Sequence, residues 1–380
     1  SIMKFIHLSD LHIGKKVNEF SMLEDQKYIF EKIISIIEQQ KIDGVFIAGD
    51  VYDKSIPSRE AVQVFDDFLT KIASKNIPIF VISGNHDAPE RIAFGAEMMK
   101  QSKVYLSPVF DGNINEVILK DEYGEIAIYM LPFVKPATVR PFYNDVEINS
   151  YNDAVKTVIE HTNINKNRRN ILIAHQFVTG AEKSNSEDIS VGGIDNVDAE
   201  VFDDFDYVAL GHIHKPQFVG RETIRYCGTP LKYSFSEVNH KKSACIVILR
   251  EKGNISIEKI DLMPQKDMCE IKGYYQEITA LCYYKNINVQ NYMHIILKDE
   301  QDIVDAIAKL RSIYPNIMRL DYDNKRTQNN QKIDITENIE YKTPLQLLQQ
   351  FYEIQNNCAM TEEQTLFSAR IMEKIWEVEL

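Results

Sequence analysis

The chain has no apolar run approaching the roughly 18 residues that a membrane-spanning helix needs. No signal segment is expected ahead of Met3, because Lys4-Phe5-Ile6 leads straight into a strand-like run; Ser1-Ile2 is set aside from the fold reading. Cysteine is scarce, with five among 380 residues (Cys227, Cys245, Cys269, Cys282 and Cys358) and no Cys-x-x-Cys pair. That disfavours a disulfide framework or a cysteine-held zinc and leads us to expect reduced thiols in a cytoplasmic protein. No glycine-rich loop precedes a Gly-Lys-Ser/Thr, so ATP hydrolysis by this chain alone is not expected. A Gly-x-Ser-x-Gly nucleophile elbow is also missing. Basic charge is in deficit: 43 Lys and Arg stand against 56 Asp and Glu, a net charge of −13. A surface that grips DNA all round is therefore not expected. A nucleic-acid substrate stays open, because divalent ions would invert the potential of an acidic pocket.

What is present suits a globular chain of two or three domains, with 44% hydrophobic residues to fill a core. The first half alternates strand and helix patterns. Strand-like runs fall at 4–8, 44–48, 77–83, 126–131, 170–174 and 207–210. Helical stripes run through Phe30, Ile33, Ile34 and Ile37, and through Val62, Phe65, Leu69 and Ile72 after a Ser58 cap. This predicts an α/β fold with a central mixed sheet and ligands beyond the carboxyl ends of its strands. Short strands at 225–227, 244–249 and 255–260 predict a second sheet packed on the first. A boundary is expected near Met263-Pro264, then a small α+β domain with strands at 293–297 and 316–320 and a helix at 303–313. A polar loop at 324–331 follows. Two helices close the sequence. Thr343 and Pro344 start the first, with a Leu345, Leu348 and Tyr352 stripe. Thr361 and Gln364 form a capping box for the second, with Phe367, Ile371, Ile375 and Val378 in its stripe and Trp376 beside them.

Five polar motifs each follow an apolar run: Asp10-Leu11-His12, Gly49-Asp50, Gly84-Asn85-His86-Asp87, His175, and Gly211-His212-Ile213-His214. Asp10 and His12 lie two apart, so an extended backbone would face both the same way. Oxygen and imidazole donors in this mixture suit Mn²⁺, Fe²⁺ or Zn²⁺. A carboxylate at Asp50 is central enough to bridge two ions. Asn85 offers a neutral oxygen, and the adjacent His86 would point the other way and act as general acid on a leaving oxygen. Asp87 is placed to orient or stabilise it. The ordered set fits two-metal phosphoryl chemistry.

The order Asp-x-His, Gly-Asp, Gly-Asn-His-Asp, His, Gly-His-x-His resembles the calcineurin-like metallophosphoesterase superfamily over about residues 4–249. The resemblance implies a first ion on Asp10, His12, Asp50 and His214. A second ion would sit on Asp50, Asn85, His175 and His212, with His86 as the acid. Three further stretches are similar to the SbcD exonuclease family, the bacterial counterpart of the double-strand-break repair nuclease. They are residues 87–94, Ser184-Asn185-Ser186-Glu187 with Val191-Gly192-Gly193, and Arg225-Tyr226-Cys227-Gly228-Thr229-Pro230 with Ser234-Phe235-Ser236-Glu237. One departure is Asp53, where archaeal relatives carry His; it is a candidate to support the metal site from behind.

That resemblance implies a metallophosphoesterase β-sandwich flanked by helices (1–264), a small α+β DNA-capping domain (265–341) and a C-terminal helix pair (342–380) that binds an SbcC-type coiled-coil ATPase. The implied activity is a Mn²⁺-dependent DNA nuclease, with Mg²⁺ or Fe²⁺ as other candidate ions. It would be a double-strand exonuclease and a single-strand or hairpin endonuclease in repair and recombination. A homodimer within a heterotetramer, no membrane association, and a cytoplasmic, nucleoid-associated location are expected. The helices at 24–40 and 58–73 are candidate dimer surfaces. The rival is a phosphodiesterase or phosphatase of the same superfamily acting on a small or protein substrate, which would need neither cap nor helix pair.

Overall fold

The structure is a computed structural model that describes residues 2–187, 195–328, 344–356 and 359–377. Val191-Gly192-Gly193 and Thr343 lie outside the described residues. Two six-stranded sheets form its centre. The first runs Ile255–Asp261, Ser243–Leu249, Met3–Leu8, Gly44–Ala48, Ile79–Ile82 and Val104–Leu106 in spatial order. The second runs Gln217–Val219, Arg221–Tyr226, Tyr207–Gly211, Arg169–His175, Gly124–Met130 and Asn115–Asp121. Each carries four parallel strands; antiparallel strands extend the first sheet at one edge and flank the second at both.

The strand period of two explains the packing. Phe46 and Ala48, Ile126, Ile128 and Met130, Ile171 and Ile173, and Tyr207 and Ala209 face the opposite sheet. Their neighbours Val45, Ile47, Leu172, Ala174, Val208 and Leu210 turn outward beneath helices. Both faces of the parallel strands are buried, which is why they read as unbroken apolar runs.

The two packed sheets are those expected, but the strands of the first half already build both, and the later strands divide between them. Arg221–Tyr226 joins the second sheet. Ser243–Leu249 and Ile255–Asp261 return to the first, where Ser243–Leu249 pairs antiparallel with Met3–Leu8. A polar tie also crosses the apolar layer between the sheets. Fully buried His7 on the first sheet contacts the Tyr207 hydroxyl (2.8 Å) and the Leu210 carbonyl (3.0 Å) on the second.

Helices Leu23–Gln39 and Arg59–Ala73 cover the first sheet. The Ser58 hydroxyl accepts from the Ala61 N–H and caps the latter. Their apolar stripes face the chain's own core, with Phe30 stacked on Phe68 at 4.6 Å. The second stripe uses Ala61, Val64 and Phe68 in place of Val62, which is 44% exposed. Helix Tyr151–Glu160 covers the second sheet, and its N-terminus is closed by the reciprocal Ser150–Asp153 box.

The chain divides into two compact units. One comprises residues 1–296 and 305–321, the other 297–304 and 322–380. The first includes most of a three-stranded sheet built from Met268–Gly273, Tyr292–Leu297 and Ile317–Tyr322, with a helix at Ala306–Arg311. The second includes helices Pro344–Asn356 and Glu362–Glu377. The Thr361–Gln364 box closes in both directions, at 2.9 and 3.2 Å, and Gln364 donates to the Tyr352 hydroxyl. Leu347, Phe351, Leu366, Phe367 and Ile371 are exposed; the side chains of Ile375 and Trp376, and Val378 entirely, lie outside the described residues.

Candidate metal centre

The five motifs meet where the parallel strands of both sheets end. Asp10 and His12 follow Met3–Leu8, Asp50 follows Gly44–Ala48 and Asn85 follows Ile79–Ile82. His175 is the last residue of Arg169–His175, and His212 follows Tyr207–Gly211. The backbone between Asp10 and His12 is not extended, as the spacing had suggested. Both residues lie in the left-handed region (φ 52° and 44°), as do Asp50 (48°) and His212 (102°). Such conformations are costly for non-glycine residues and collect at functional sites. Here the turn lets the Asp10 and His12 N–H groups reach the carbonyls of Gly49 and Asp50, both at 3.0 Å.

Close approach explains two of the motif glycines. A Cβ on Gly84 would lie 2.1 Å from Asp50 Oδ1, and one on Gly211 would lie 1.9 Å from the Ala48 carbonyl. Asp87 works through the backbone of the motif loops. Its carboxylate accepts the N–H groups of Val51, Tyr52 and Gly84, binding the second and third motif loops together.

All eight predicted residues are brought together. Asp10, His12 and His214 offer ligand atoms within 4.8 Å of one another, as do Asp10, Asp50 and His175. His12 Nε2 and His214 Nε2 face each other at 3.2 Å. Asn85 Oδ1 is faced by His175 Nε2 (2.9 Å) and His212 Nδ1 (3.0 Å), and Asp50 Oδ2 lies 3.2 Å from His175 Nε2. His86 forms a third cluster with His12 and Asp50. Its N–H donates to Asp50 Oδ1 (2.9 Å) and its Nδ1 lies 3.1 Å from the Asp53 carbonyl. Asp53 also places a carboxylate oxygen 3.5 Å from His12 Nδ1 and 3.2 Å from the Lys15 ammonium.

The hydrogen-bond chemistry tests whether a cation fits. His175 Nδ1 lies 2.8 Å from the Ala48 carbonyl, which can only accept, so Nδ1 carries a hydrogen. In a neutral ring Nε2 then bears a lone pair, aimed at oxygens of Asn85 and Asp50 that also bear lone pairs. Only a second proton or a metal ion relieves this contact. Without metal the proton is favoured: burial opposes it, but the charge and hydrogen bond of Asp50 raise His175 to about 9. Burial would also raise Asp50, yet His175 and its other imidazole neighbours hold it far below the usual carboxylate range. Burial lifts Asp10 to about 6, and burial with the His175 charge lowers His212 to about 3. A donor set of two carboxylates, an amide oxygen and four imidazoles, at the ends of buried strands, fits divalent transition ions.

Several supporting residues had no role assigned from the sequence. The Ser186 hydroxyl is 2.7 Å from His214 Nδ1, Glu187 accepts the His214 N–H at 2.8 Å, and Lys242 donates to the His214 carbonyl at 2.8 Å. Glu237 and Lys242 form a buried ion pair at 2.6 Å. Only the Ser-x-Ser-Glu resemblance marked the first two, and nothing marked Lys242.

Paired clusters of this kind at the strand ends of a sandwich define a phosphoesterase. The calcineurin-like phosphoesterase pattern matches residues 3–216, and the chain belongs to that family. Within it the chain belongs to the SbcD group of nucleases and is a metal-dependent phosphodiester hydrolase. It is 35% identical over 322 residues to the SbcD subunit of the nuclease SbcCD of Staphylococcus epidermidis, covering 84% of this chain and 85% of that one. Residues 264–356 match a second family pattern, described as the type 5 capsule protein repressor C-terminal domain. Two solved structures are more distant. A dimetal phosphatase from Danio rerio is 9% identical over 69% of this chain and 96% of its own, at a TM-score of 0.46. A protein from Thermus thermophilus is 14% identical over 68% and 99%, at 0.39.

Proposed function

We propose that this chain is the DNA nuclease subunit of an SbcCD-type complex. In this reading Asp10, His12, Asp50 and His214 hold one divalent ion, and Asp50, Asn85, His175 and His212 hold the other, with Mn²⁺ preferred. When bound, the pair supplies charge neutralisation for the phosphodiester and acidifies a water. His86 supplies the proton. With Nδ1–H donating to the Asp53 carbonyl, the proton given to the leaving oxygen is the one that the imidazolium form carries on Nε2. The left-handed turns at Asp10, His12, Asp50 and His212 hold the donors in place before substrate arrives.

The observation that supports this reading is the His175 contact, in which Nε2 faces the Asn85 and Asp50 oxygens and needs a metal ion or a proton between them. The likeness to the staphylococcal SbcCD nuclease supports DNA as substrate and an SbcC-type ATPase as partner. We assign residues 1–264 to the nuclease domain, 265–341 to a DNA-facing cap and 342–380 to the partner-binding helix pair. The exposed Leu347, Phe351, Leu366, Phe367 and Ile371 suit that last role. The net charge of −13 suits a subunit that leaves much of the DNA grip to its partner. Among the described residues no helix is long and apolar enough to cross a membrane. The complex would act on the nucleoid as a homodimer with two ATPase subunits, cutting duplex ends as an exonuclease and hairpins as an endonuclease.

The test is Mn²⁺-dependent degradation of an end-labelled linear duplex, alone and with the partner ATPase. Cutting by the wild type that His86→Gln lacks is the expected result. Hydrolysis of a chromogenic phosphodiester with no cutting of DNA under either condition would overturn the DNA assignment.

A further inference from the structure

The two stretches Ser184-Asn185-Ser186-Glu187 and Ser234-Phe235-Ser236-Glu237 come from separate parts of the chain and meet behind His214. The Asn185 N–H donates to the Ser236 hydroxyl (3.2 Å), which joins the two segments. The Ser186 hydroxyl lies between the His214 ring and Glu237: Nδ1 is 2.7 Å away on one side, and the hydroxyl donates to Glu237 Oε1 on the other. The second oxygen of Glu237 pairs with Lys242, and both side chains are buried. Lys242 closes the circuit by donating to the carbonyl of His214 itself (2.8 Å).

We propose that Ser186, Glu237 and Lys242 are positioning residues that fix the tautomer of His214 and so set the affinity of one of the two ions. The Ser186 hydroxyl has a single hydrogen, and the carboxylate of Glu237 can only accept it. That commits the serine oxygen to accept from His214, so the imidazole hydrogen sits on Nδ1. Nε2 is left with its lone pair on the side of His12, where a ligand is needed. Lys242 keeps Glu237 ionised in the interior, where an uncompensated carboxylate is costly. Without the hydroxyl, the ring loses the acceptor for Nδ1–H, since Glu237 Oε1 lies 3.7 Å away. The other tautomer, with its hydrogen toward the ion, becomes accessible. Partners of this kind typically alter metal affinity by about 10–100-fold.

This inference rests on the assignment of His214 as a ligand, and the experiment separates the two. The full chain, Ser186→Ala, Ser186→Thr, Glu237→Gln and His214→Ala are stripped with EDTA. Their metal-free thermal unfolding is recorded, and each is titrated with Mn²⁺ by calorimetry. Ser186→Ala is expected to bind one of its two ions about 10–100-fold more weakly at an unchanged metal-free Tm, with Ser186→Thr restoring affinity. Glu237→Gln should weaken the same ion. Should it fail to fold with Lys242 unpaired, the serine variants decide alone. Wild-type affinity for both ions in Ser186→Ala overturns the proposal. An equal loss at both ions with a lower metal-free Tm also does so, because it marks a structural role. If His214→Ala keeps both ions at wild-type affinity, the ligand assignment itself fails. If His214→Ala loses an ion while Ser186→Ala does not, only the positioning role fails.

Discussion

Mild acid is expected to destabilise the fold through His7, a residue outside the five motifs. Its Nε2 lies 3.0 Å from the Leu210 carbonyl and must carry the hydrogen. Its Nδ1 lies 2.8 Å from the Tyr207 hydroxyl and accepts from it. The ring is therefore held neutral between the two sheets, and burial lowers it from 6.5 to about 3. The sign follows from linkage. Below pH 6.5 the unfolded chain takes up a proton that the folded chain refuses until about pH 3, so stability falls across that window and is unaffected above it. Each pH unit is worth about 1.4 kcal/mol, giving a loss of about 2 kcal/mol at pH 5 and about 5 kcal/mol by pH 3. The assay is urea unfolding in EDTA at pH 7 and pH 5. His7→Gln keeps a donor and an acceptor without titrating. Other histidines titrate equally in both proteins, so the wild type should lose about 2 kcal/mol more than the variant. Equal losses would refute the reasoning.

Other perturbations reach the metal centre. His86→Gln should retain both ions and lose about 10²–10⁴-fold in hydrolysis, read from Mn²⁺ titration beside turnover; loss of an ion would make His86 a ligand instead. Gly84→Ala should weaken both ions together, because its Cβ would lie 2.1 Å from an oxygen of the shared Asp50. Wild-type titration curves would contradict that geometry. Because His175 sits at about 9 without metal, an ion must displace its proton. Mn²⁺ affinity should therefore rise about tenfold between pH 6.5 and 7.5, and a flat profile would show that the proton is not there.

Much of the site was legible because each candidate ligand follows a buried parallel strand, and such strands announce themselves as short apolar runs. Asp10, Asp50, Asn85 and His212 were placed by that rule alone. Local conformation was less accessible: the two-residue spacing of Asp10 and His12 suggested a strand, whereas both residues turn left-handed to meet the next loop. The partners of Asp87 were hidden for a related reason, since they are backbone N–H groups that sequence does not display. The division of the late strands between two sheets was also hidden. Ser243–Leu249 is more apolar than Arg221–Tyr226, but that difference does not say which sheet each joins; pairing with Met3–Leu8, far away in sequence, does. Ser186 and Glu237 carry their meaning in a meeting that no periodicity records.

The pairing of Met3–Leu8 with Ser243–Leu249 also bears on how the protein is made. A ribosome delivers Asp10, His12, Asp50 and Asn85 long before it delivers the strand that completes their sheet. Until then the first strand has one hydrogen-bonding edge bare, the kind of surface that recruits stray strands from other chains. A fragment ending before residue 243 would contain all seven candidate ligands and still lack the complete first sheet that carries four of them. Dissection of this chain into working parts must therefore keep the first strand and Ser243–Leu249 on the same piece.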